Sequence, residues 1–273
     1  MPIVPLEIGT QSNPGRYGQS GQARLINCYP EEAGKEGKHP IPVYASAGLA
    51  AFATLTDGGA VRAMIDLDAY LYVVAGRAIY RVDTTGTGGA SPIGGMASDG
   101  IVTMASSRAG EISVVCDGIV KIITGLTVTD LADSDLPPPN SVHYNGGYHV
   151  YTHPSGRFSW SGIDNASVFD ALDFATAESS RDGLLMGKAL GQHSVLFGTR
   201  SIEFWILSGG ADSPFTRSHV INVGCYAAGS VSPVPIVTQT AVTDSIAFAA
   251  TDAQGAYSGI CIVENLSARK IST

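Results

Sequence analysis

The sequence predicts an all-β protein: a β-propeller of four-stranded antiparallel blades, preceded by an extended N-terminal arm. The first observation is the segment Tyr70–Val82, in which aromatic and β-branched residues fill two short arms around a glycine-containing turn, as in a β-hairpin. The second is that similar hairpins recur, each after a short apolar strand. The first four of these strands begin at residues 61, 101, 141 and 184, spaced by 40, 40 and 43 residues. Four strands in every 40 to 50 residues, roughly, is typical of a propeller blade.

Five such units are visible, which leaves open whether they form a whole propeller or the first part of a larger one. The hairpins cover residues 70–82, 111–123, 147–161, 193–207 and 245–263. From them we predict blades at residues 59–98, 99–136, 137–181, 182–228 and 229–273. A β-sandwich would show more even strand spacing without the recurrence of about 40 residues.

The predicted arm comprises residues 1–58. It is rich in Gly, Pro, Ser and Asn, and it shows no clear periodicity apart from one short apolar piece at residues 23–29. We expect the arm either to pack on the propeller or to contact a neighbouring subunit, and the sequence does not decide between the two.

Charge and composition argue against several classes of protein. The chain has 24 acidic and 16 basic residues and no cluster of Lys and Arg, so we predict no sequence-specific or extensive direct contact with nucleic acid. No secretory signal is visible, and no apolar run approaches the roughly 18 residues of a membrane span. The four scattered cysteines are predicted to be reduced, mostly buried thiols.

The sequence carries no familiar catalytic motif, so we predict that the protein is not an enzyme and needs no cofactor. His143, His149 and His153 fall within eleven residues. A zinc site is one hypothesis for them, but alternate strand faces and a missing fourth ligand favour chance clustering. The acidic residues at 130–135 precede a triple proline, and we predict a solvated turn there rather than a calcium loop.

One hairpin raises the possibility of carbohydrate chemistry. Residues 152–160 superficially resemble the Asp-box of sugar-cleaving propellers, but Pro154 stands where that box has aspartate. Glycoside hydrolysis also needs two converging carboxylates, which the sequence does not identify. The aromatic residues of the hairpin arms, Trp160 and Trp205 among them, are predicted to pack between blades and not to bind ligands.

The sequence resembles one protein family, and several segments carry the likeness in order along the chain. They are RLINCYPEEAGKEGK (24–38), AGLAAF (47–52), SGRFSWS (155–161), FDALDFATAESSRDGLL (169–185), SIEFW (201–205), SPFTR (213–217) and ARKIST (268–273). Together they resemble the packaged-DNA stabilisation proteins of short-tailed bacteriophages, the tail-hub or head-completion family. Members of that family continue beyond the point that matches Thr273, so this chain is expected to be an N-terminal portion.

The resemblance implies a structural virion protein of the head-to-tail connector, assembled in the bacterial host cytoplasm. Such proteins form a ring below the portal and its adaptor, close the DNA channel after packaging, and carry the tail needle and tailspikes. A closed ring needs two different faces on each copy, and loops on a rigid scaffold usually supply such faces. The candidate interface residues lie in the arm and in inserts at 164–182 and 208–217: Arg24, Asn27, Tyr29, Glu31, Asp170, Asp173, Glu178, Phe215 and Arg217.

Two alternatives stay open at this stage. A propeller that binds or cleaves a polysaccharide would need a concave cluster of aromatic residues with two or more carboxylates on one face. A cytosolic scaffold unrelated to viruses would require the family resemblance to be accidental.

Overall fold

The computed structural model describes residues 27–30, 42–48, 50–56, 59–85, 89–180, 182–210, 213–237, 242–252 and 255–272. The chain divides into two compact units, Met1–Phe52 and Ala53–Thr273.

The described part of the first unit is a short antiparallel pair of strands, β1 (Cys28–Pro30) and β2 (Val43–Ala45). Tyr29 lies opposite Tyr44, and their ring centroids are 5.9 Å apart. Both tyrosines are about half exposed, so the pair presents aromatic surface to solvent.

The second unit is a β-propeller of five antiparallel sheets, which confirms the predicted fold class. Blade 1 consists of β3 (Val61–Leu67), β4 (Tyr70–Ala75), β5 (Ala78–Asp83) and β6 (Ala90–Gly95). Blade 2 consists of β7 (Val102–Ser106), β8 (Glu111–Cys116), β9 (Ile119–Thr124) and β10 (Thr127–Leu131). Blade 3 consists of β11 (Ser141–Asn145), β12 (Tyr148–Thr152), β13 (Arg157–Trp160) and β14 (Phe174–Thr176).

Blade 4 consists of β15 (Leu184–Leu190), β16 (His193–Gly198), β17 (Ile202–Leu207) and β18 (Phe215–Ile221). Blade 5 consists of β19 (Gly224–Cys225), β20 (Ser232–Val237), β21 (Val242–Thr251), β22 (Tyr257–Glu264) and β23 (Ser267–Lys270). Its first position is split, because β19 and β20 both pair with β21 and a short 3-10 turn at Ala228–Ser230 separates them.

The hairpins at the middle of each blade end in tight turns. In blade 1 the register leaves only Gly76 and Arg77 unpaired between β4 and β5, and Gly76 has a φ of 53°. In blade 2, Asp117 and Gly118 both have positive φ, at 47° and 79°. Two consecutive left-handed residues match the twist of a two-residue hairpin, which explains why Asp-Gly occurs at this position.

Consecutive blades pack through apolar side chains, and we call the interface between two blades a seam. The first seam, between blades 1 and 2, contains Tyr72, Val74, Ile79, Met96, Val102, Ile112, Val114, Cys116 and Ile123. The third seam, between blades 3 and 4, is aromatic and contains Phe158, Trp160, Trp205 and Phe215 together with Val150, Leu184 and Leu196. The predicted packing of aromatic hairpin residues between blades is therefore confirmed.

The three clustered histidines all lie in blade 3, and each pairs with a different serine. His143 Nε2 is 3.0 Å from the Ser194 hydroxyl across the third seam, and His149 Nδ1 is 2.9 Å from the Ser113 hydroxyl across the second seam, between blades 2 and 3.

His153 Nε2 is 3.1 Å from Ser159 within blade 3. Burial is the main cause that lowers the pKa of His143 to about 3 and those of His149 and His153 to about 4, so all three rings are neutral near pH 7.

Candidate functional site

The antiparallel order of the strands gives the propeller two different faces. The turn between the second and third strands of each blade lies on one face, together with the chain that enters the first strand; we call it the turn face. The connections between the first and second strands and between the third and fourth strands lie on the opposite face, which we call the loop face. The turn face has two-residue turns such as Asp117-Gly118, whereas the loop face carries the long connection 161–173.

The 161–173 connection is an ordered loop anchored to two blades. The Asp164 N–H donates to the Gly147 carbonyl at 2.7 Å, and the Tyr144 hydroxyl donates to the Asp164 carboxylate. The Ala166 N–H donates to Glu111 Oε2 of blade 2 at 2.7 Å, and Ala166 itself is fully buried. These bonds hold the start of the loop against blades 2 and 3.

The loop also exposes large aliphatic side chains. We define the loop-face patch as Ile163, Val168 and Leu172 of this loop together with Leu126 of the β9–β10 turn, which lies on the same face. Leu172 is 77% exposed and Ile163 is 66% exposed. Exposed aliphatic side chains grouped on one face are typical of a protein–protein contact, whereas isolated ones carry no such meaning.

Asp170 and Asp173, two of the predicted interface residues, shape the tip of this loop. The exposed Asp170 carboxylate accepts from the Leu172 N–H at 2.9 Å, and its carbonyl accepts from the Asp173 N–H at 2.9 Å. Burial raises the pKa of the half-buried Asp173 carboxyl, while a hydrogen bond with the Trp160 side chain opposes the rise. Asp170 is therefore available at the surface, and Asp173 mainly supports the loop.

Glu178 lies on the opposite face from these two aspartates. Strand β14 crosses the blade between Asp173 and Glu178, so the insert predicted at 164–182 has its two ends on different faces. The exposed Glu178 borders a cavity of about 630 Å³ on the turn face, which Asp182 also lines. Asp182 holds the neighbouring turn, since its carboxylate accepts from the Arg200 N–H at 2.6 Å.

The predicted residues Phe215 and Arg217 have different environments on β18. Phe215 is only 2% exposed and packs in the third seam near Trp160, with ring centroids 5.7 Å apart, so its ring does not reach the surface. Arg217 is partly exposed and lies 3.8 Å from the buried carboxylate of Glu203. Glu203 also accepts hydrogen bonds from the Ser179 N–H at 2.8 Å and from Trp205 Nε1 at 3.0 Å, so it ties the turn face to the third seam.

Four predicted residues belong to the first unit. Asn27 is exposed and precedes β1 in a left-handed conformation, and its carbonyl accepts from the Ser46 N–H at 2.8 Å. Tyr29 is exposed beside Tyr44, whereas Arg24 and Glu31 lie outside the described residues. That these residues form an interface stays a prediction.

A cavity of about 620 Å³ lies where the first strands of the blades converge. Its wall includes Arg62 and Met64 of β3, residues 99–104 at the start of blade 2, and Met186 and Lys188 of β15. Arg62 donates to the carbonyls of Gly100 at 3.2 Å, Gly76 at 2.8 Å and Ser98 at 2.9 Å, and thereby joins blade 1 to blade 2.

Sequence reasoning did not single out Arg62, Lys188, Asp182 or Glu203. Each is a charged residue within or beside an apolar run, which is the one signal that marks it. Arg62, Asp182 and Glu203 have partners that are distant in the chain, whereas Lys188 has no hydrogen-bond partner among the described residues, and the sequence reveals neither property.

The structure also bears on the alternatives considered from sequence. The hairpin aromatics Phe158 and Trp160 are buried in the third seam and therefore do not form an open platform for a sugar. Within the described part of the chain, no group of three or more His, Cys, Asp or Glu side chains is arranged to hold a metal ion. The same residues include no helix long and apolar enough to cross a membrane.

Comparison with known proteins identifies a family. The family described as Bacteriophage P22 Gp10, beta-propeller, matches residues 38–273. None of the curated proteins matches the sequence significantly.

Comparison with solved structures gives matches at low sequence identity. The extracellular domain of BT4673 from B. thetaiotaomicron has a TM-score of 0.51 and 11% identity, over 78% of this chain and 28% of that one. BBS1N, in complex with ARL6DN, has a TM-score of 0.50 and 10% identity, over 83% of this chain and 67% of the BBS1N chain. PorZ of Porphyromonas gingivalis has a TM-score of 0.46 and 11% identity, over 78% and 26%. The chain thus spans about a quarter of the length of PorZ and of BT4673.

Proposed function

This chain belongs to the Bacteriophage P22 Gp10 β-propeller family, and we propose that it acts in the phage tail hub, where it closes the portal channel after DNA packaging and holds the tail needle and tailspikes. Membership makes it a phage structural protein concerned with stabilising packaged DNA. The single observation that carries the proposal is the family match over residues 38–273.

The charge of the chain supports a closing role rather than a DNA-gripping one. With a net charge of −8 the protein repels phosphates, and a channel can be closed through contacts between protein subunits. We therefore expect no affinity for duplex DNA at physiological salt; a binding isotherm that weakens steeply with salt would contradict the role proposed here.

In this role the protein forms a ring of identical copies and contacts the portal and its adaptor, the tail needle and the tailspikes. A ring that closes by rotation requires each copy to present two different surfaces. The loop-face patch is our candidate for one of them, because Leu172 and Ile163 are exposed on an anchored loop. The aromatic pair Tyr29 and Tyr44 of the first unit is our candidate for the other.

Native mass spectrometry of the protein with the portal–adaptor complex tests the ring. We expect a single discrete oligomer on that complex. The variant Leu172→Asp should reduce the assembled fraction at least tenfold, because about 1.4 kcal/mol of lost contact energy corresponds to a factor of ten. The matched control is Tyr257→Asp, which places the same charge at an exposed aromatic residue of the turn face.

The possible outcomes separate the role from the surface. Only monomers in the presence of the portal–adaptor complex would refute the tail-hub role. If the ring forms with Leu172→Asp but not with Tyr257→Asp, the tail-hub role still holds, and the contact between copies lies on the turn face and not on the loop-face patch.

A further inference from the structure

We call the cavity of about 620 Å³ between the first strands of the blades the central cavity. Its wall contains a lysine, Lys188, whose charge no described carboxylate neutralises. Lys188 lies on β15, is half-buried, and its pKa is lowered by burial. Among the described residues no carboxylate or hydrogen-bond acceptor contacts its ammonium group. His143 is neutral and supplies no counter-charge, since the Lys188 charge further lowers the pKa of its imidazole. A partly desolvated ammonium without a counter-ion is costly to maintain.

The other charges of the cavity are already engaged. Arg62 directs its guanidinium to backbone carbonyls and lies 2.9 Å from the Cys116 sulfur. Asp99, the carboxylate in the described wall, forms an ion pair of 2.5 Å with Arg77. Among the described residues of this wall, Lys188 is therefore the charged group that is left to bind something else.

The apolar part of the wall is formed largely by methionines, beside the polar residue Thr103. Met64, Met104 and Met186 line it together with Val231 and Ile101. Methionine side chains adapt to irregular apolar ligands because they are unbranched and polarizable. Ile101 also borders a second cavity of about 480 Å³ on the turn face, whose wall contains Pro138, Pro139, Pro154 and Leu185.

We propose that the central cavity of the propeller is a binding site for a carboxylate carried on an apolar chain, with Lys188 as the cation and the three methionines as the apolar wall. A volume of about 620 Å³ lies within the range of about 300–1,000 Å³ typical of ligand sites. The ligand enters from the turn face, where the proline-lined cavity extends the apolar surface. The site does not depend on the proposed place in the phage tail.

Hexanoate is the simplest probe, with hexanol as the matched uncharged control. Labelling the methionine methyl groups with carbon-13 gives an internal comparison by NMR. We expect hexanoate to shift the signals of Met64, Met104 and Met186, and to leave that of Met96, which is buried in the first seam, unchanged. Hexanol should bind at least about tenfold more weakly, because its neutral hydroxyl can accept a hydrogen bond from the Lys188 ammonium but cannot form an ion pair with it.

Variants of the lysine identify its role. Lys188→Met should lower the affinity for hexanoate to that for hexanol, whereas Lys188→Arg should retain the preference for the acid. The proposal is overturned if hexanol binds as tightly as hexanoate to the unmodified protein. It is equally overturned if Met96 responds as strongly as the cavity methionines, or if nothing binds.

Two peptides distinguish a free acid from a segment of a partner protein. Acetyl-Leu-Glu-Leu-amide presents a carboxylate between apolar side chains, and acetyl-Leu-Gln-Leu-amide is its neutral counterpart. If the Glu peptide binds and the Gln peptide does not, the site is supported and its ligand is a segment of a protein. Binding of hexanoate without either peptide supports the site and indicates a small-molecule acid.

Discussion

The first and third seams join their blades by different means. Inside the first seam, Val74, Ile112 and Val114 pack without polar partners, and hydrogen bonds occur at its ends, where Arg62 reaches the carbonyl of Gly100. The third seam combines an aromatic cluster with a buried hydrogen bond between His143 and Ser194. Apolar burial is non-directional, whereas a buried hydrogen bond specifies which residues of two sheets must meet. The third seam thereby gains a defined alignment and becomes sensitive to pH.

The largest effects should come from the apolar part of each seam. Phe158→Ala should lower the free energy of unfolding by about 4 kcal/mol, because its fully buried ring contacts Trp205 with centroids 4.9 Å apart. Ile112→Ala in the first seam should lower the free energy of unfolding by about 3 kcal/mol. The loss is smaller than for Phe158→Ala because removing an isoleucine side chain leaves a smaller cavity than removing a phenyl ring. Urea unfolding of both variants measures the difference, and a larger loss for Ile112→Ala would reverse this ranking of the seams.

Acid should open the histidine-containing seams before the first seam. The pKa values of His143 and His149 in the folded protein, about 3 and about 4, lie below the value of 6.5 expected for the unfolded chain. The unfolded chain therefore binds more protons below pH 6.5. Keeping the two histidines neutral therefore does not reduce the free energy of unfolding above pH 6.5. As the pH falls from 6.5 towards 4, the free energy of unfolding decreases by about 1.4 kcal/mol per pH unit for each histidine.

Hydrogen exchange monitored by mass spectrometry at pH 7 and pH 4.5 locates this effect. We expect β11 and β12 of blade 3 to lose protection before β4 and β5 of blade 1. The variant His143→Gln removes one titrating group and should reduce the slope of stability against pH. Equal loss of protection in blades 1 and 3 would show that carboxylates, not these histidines, control acid unfolding.

Removing one hydroxyl of the third seam should have a moderate effect. Ser194 contacts His143 Nε2 at 3.0 Å and accepts from Asn145 Nδ2 at 3.1 Å. Ser194→Ala leaves both groups unsatisfied and should cost about 1–3 kcal/mol in thermal unfolding. Ser134→Ala, at an exposed position in the turn after β10, is the matched control and should change stability by less than about 0.5 kcal/mol. Equal stability of the two variants would mean that the seam hydrogen bonds contribute nothing.

The smallest effect on stability should come from the loop face. Leu172→Asp changes a side chain that is 77% exposed and should alter the free energy of unfolding by less than about 0.5 kcal/mol. Chemical denaturation checks this value. A loss comparable with that of Ser194→Ala would mean that Leu172 supports the fold, and would weaken its assignment to a contact surface.

The elements that the sequence predicts well are those whose signal is local. The hairpin at residues 70–82 could be recognised because alternating apolar residues and a turn glycine lie next to each other in the chain. The aromatic residues near 160 and 205 could be assigned to blade packing because a repeated hairpin must bury one face. Phe215, predicted from sequence as a candidate interface residue, shows the limit of this reasoning, since an aromatic residue at the edge of an insert can lie in the core.

Charged residues with distant partners could not be placed in this way. Glu203 accepts hydrogen bonds from Ser179 and Trp205, and Arg62 donates to the Gly100 carbonyl. The spacing of these residues along the chain does not predict that they pair. Asp173 and Glu178 are close in sequence and lie on opposite faces, because a three-residue strand crosses the blade between them.

The sequence by itself determined the repeat, the all-β class and the family, because each depends on patterns of neighbouring residues or on their order. Only the tertiary structure decided which side chains face each other across a seam, which loop tips are exposed, and that Lys188 has no counter-ion among the described residues. The physical reason is that these properties depend on burial and on distances between residues far apart in the chain, and a linear pattern specifies neither.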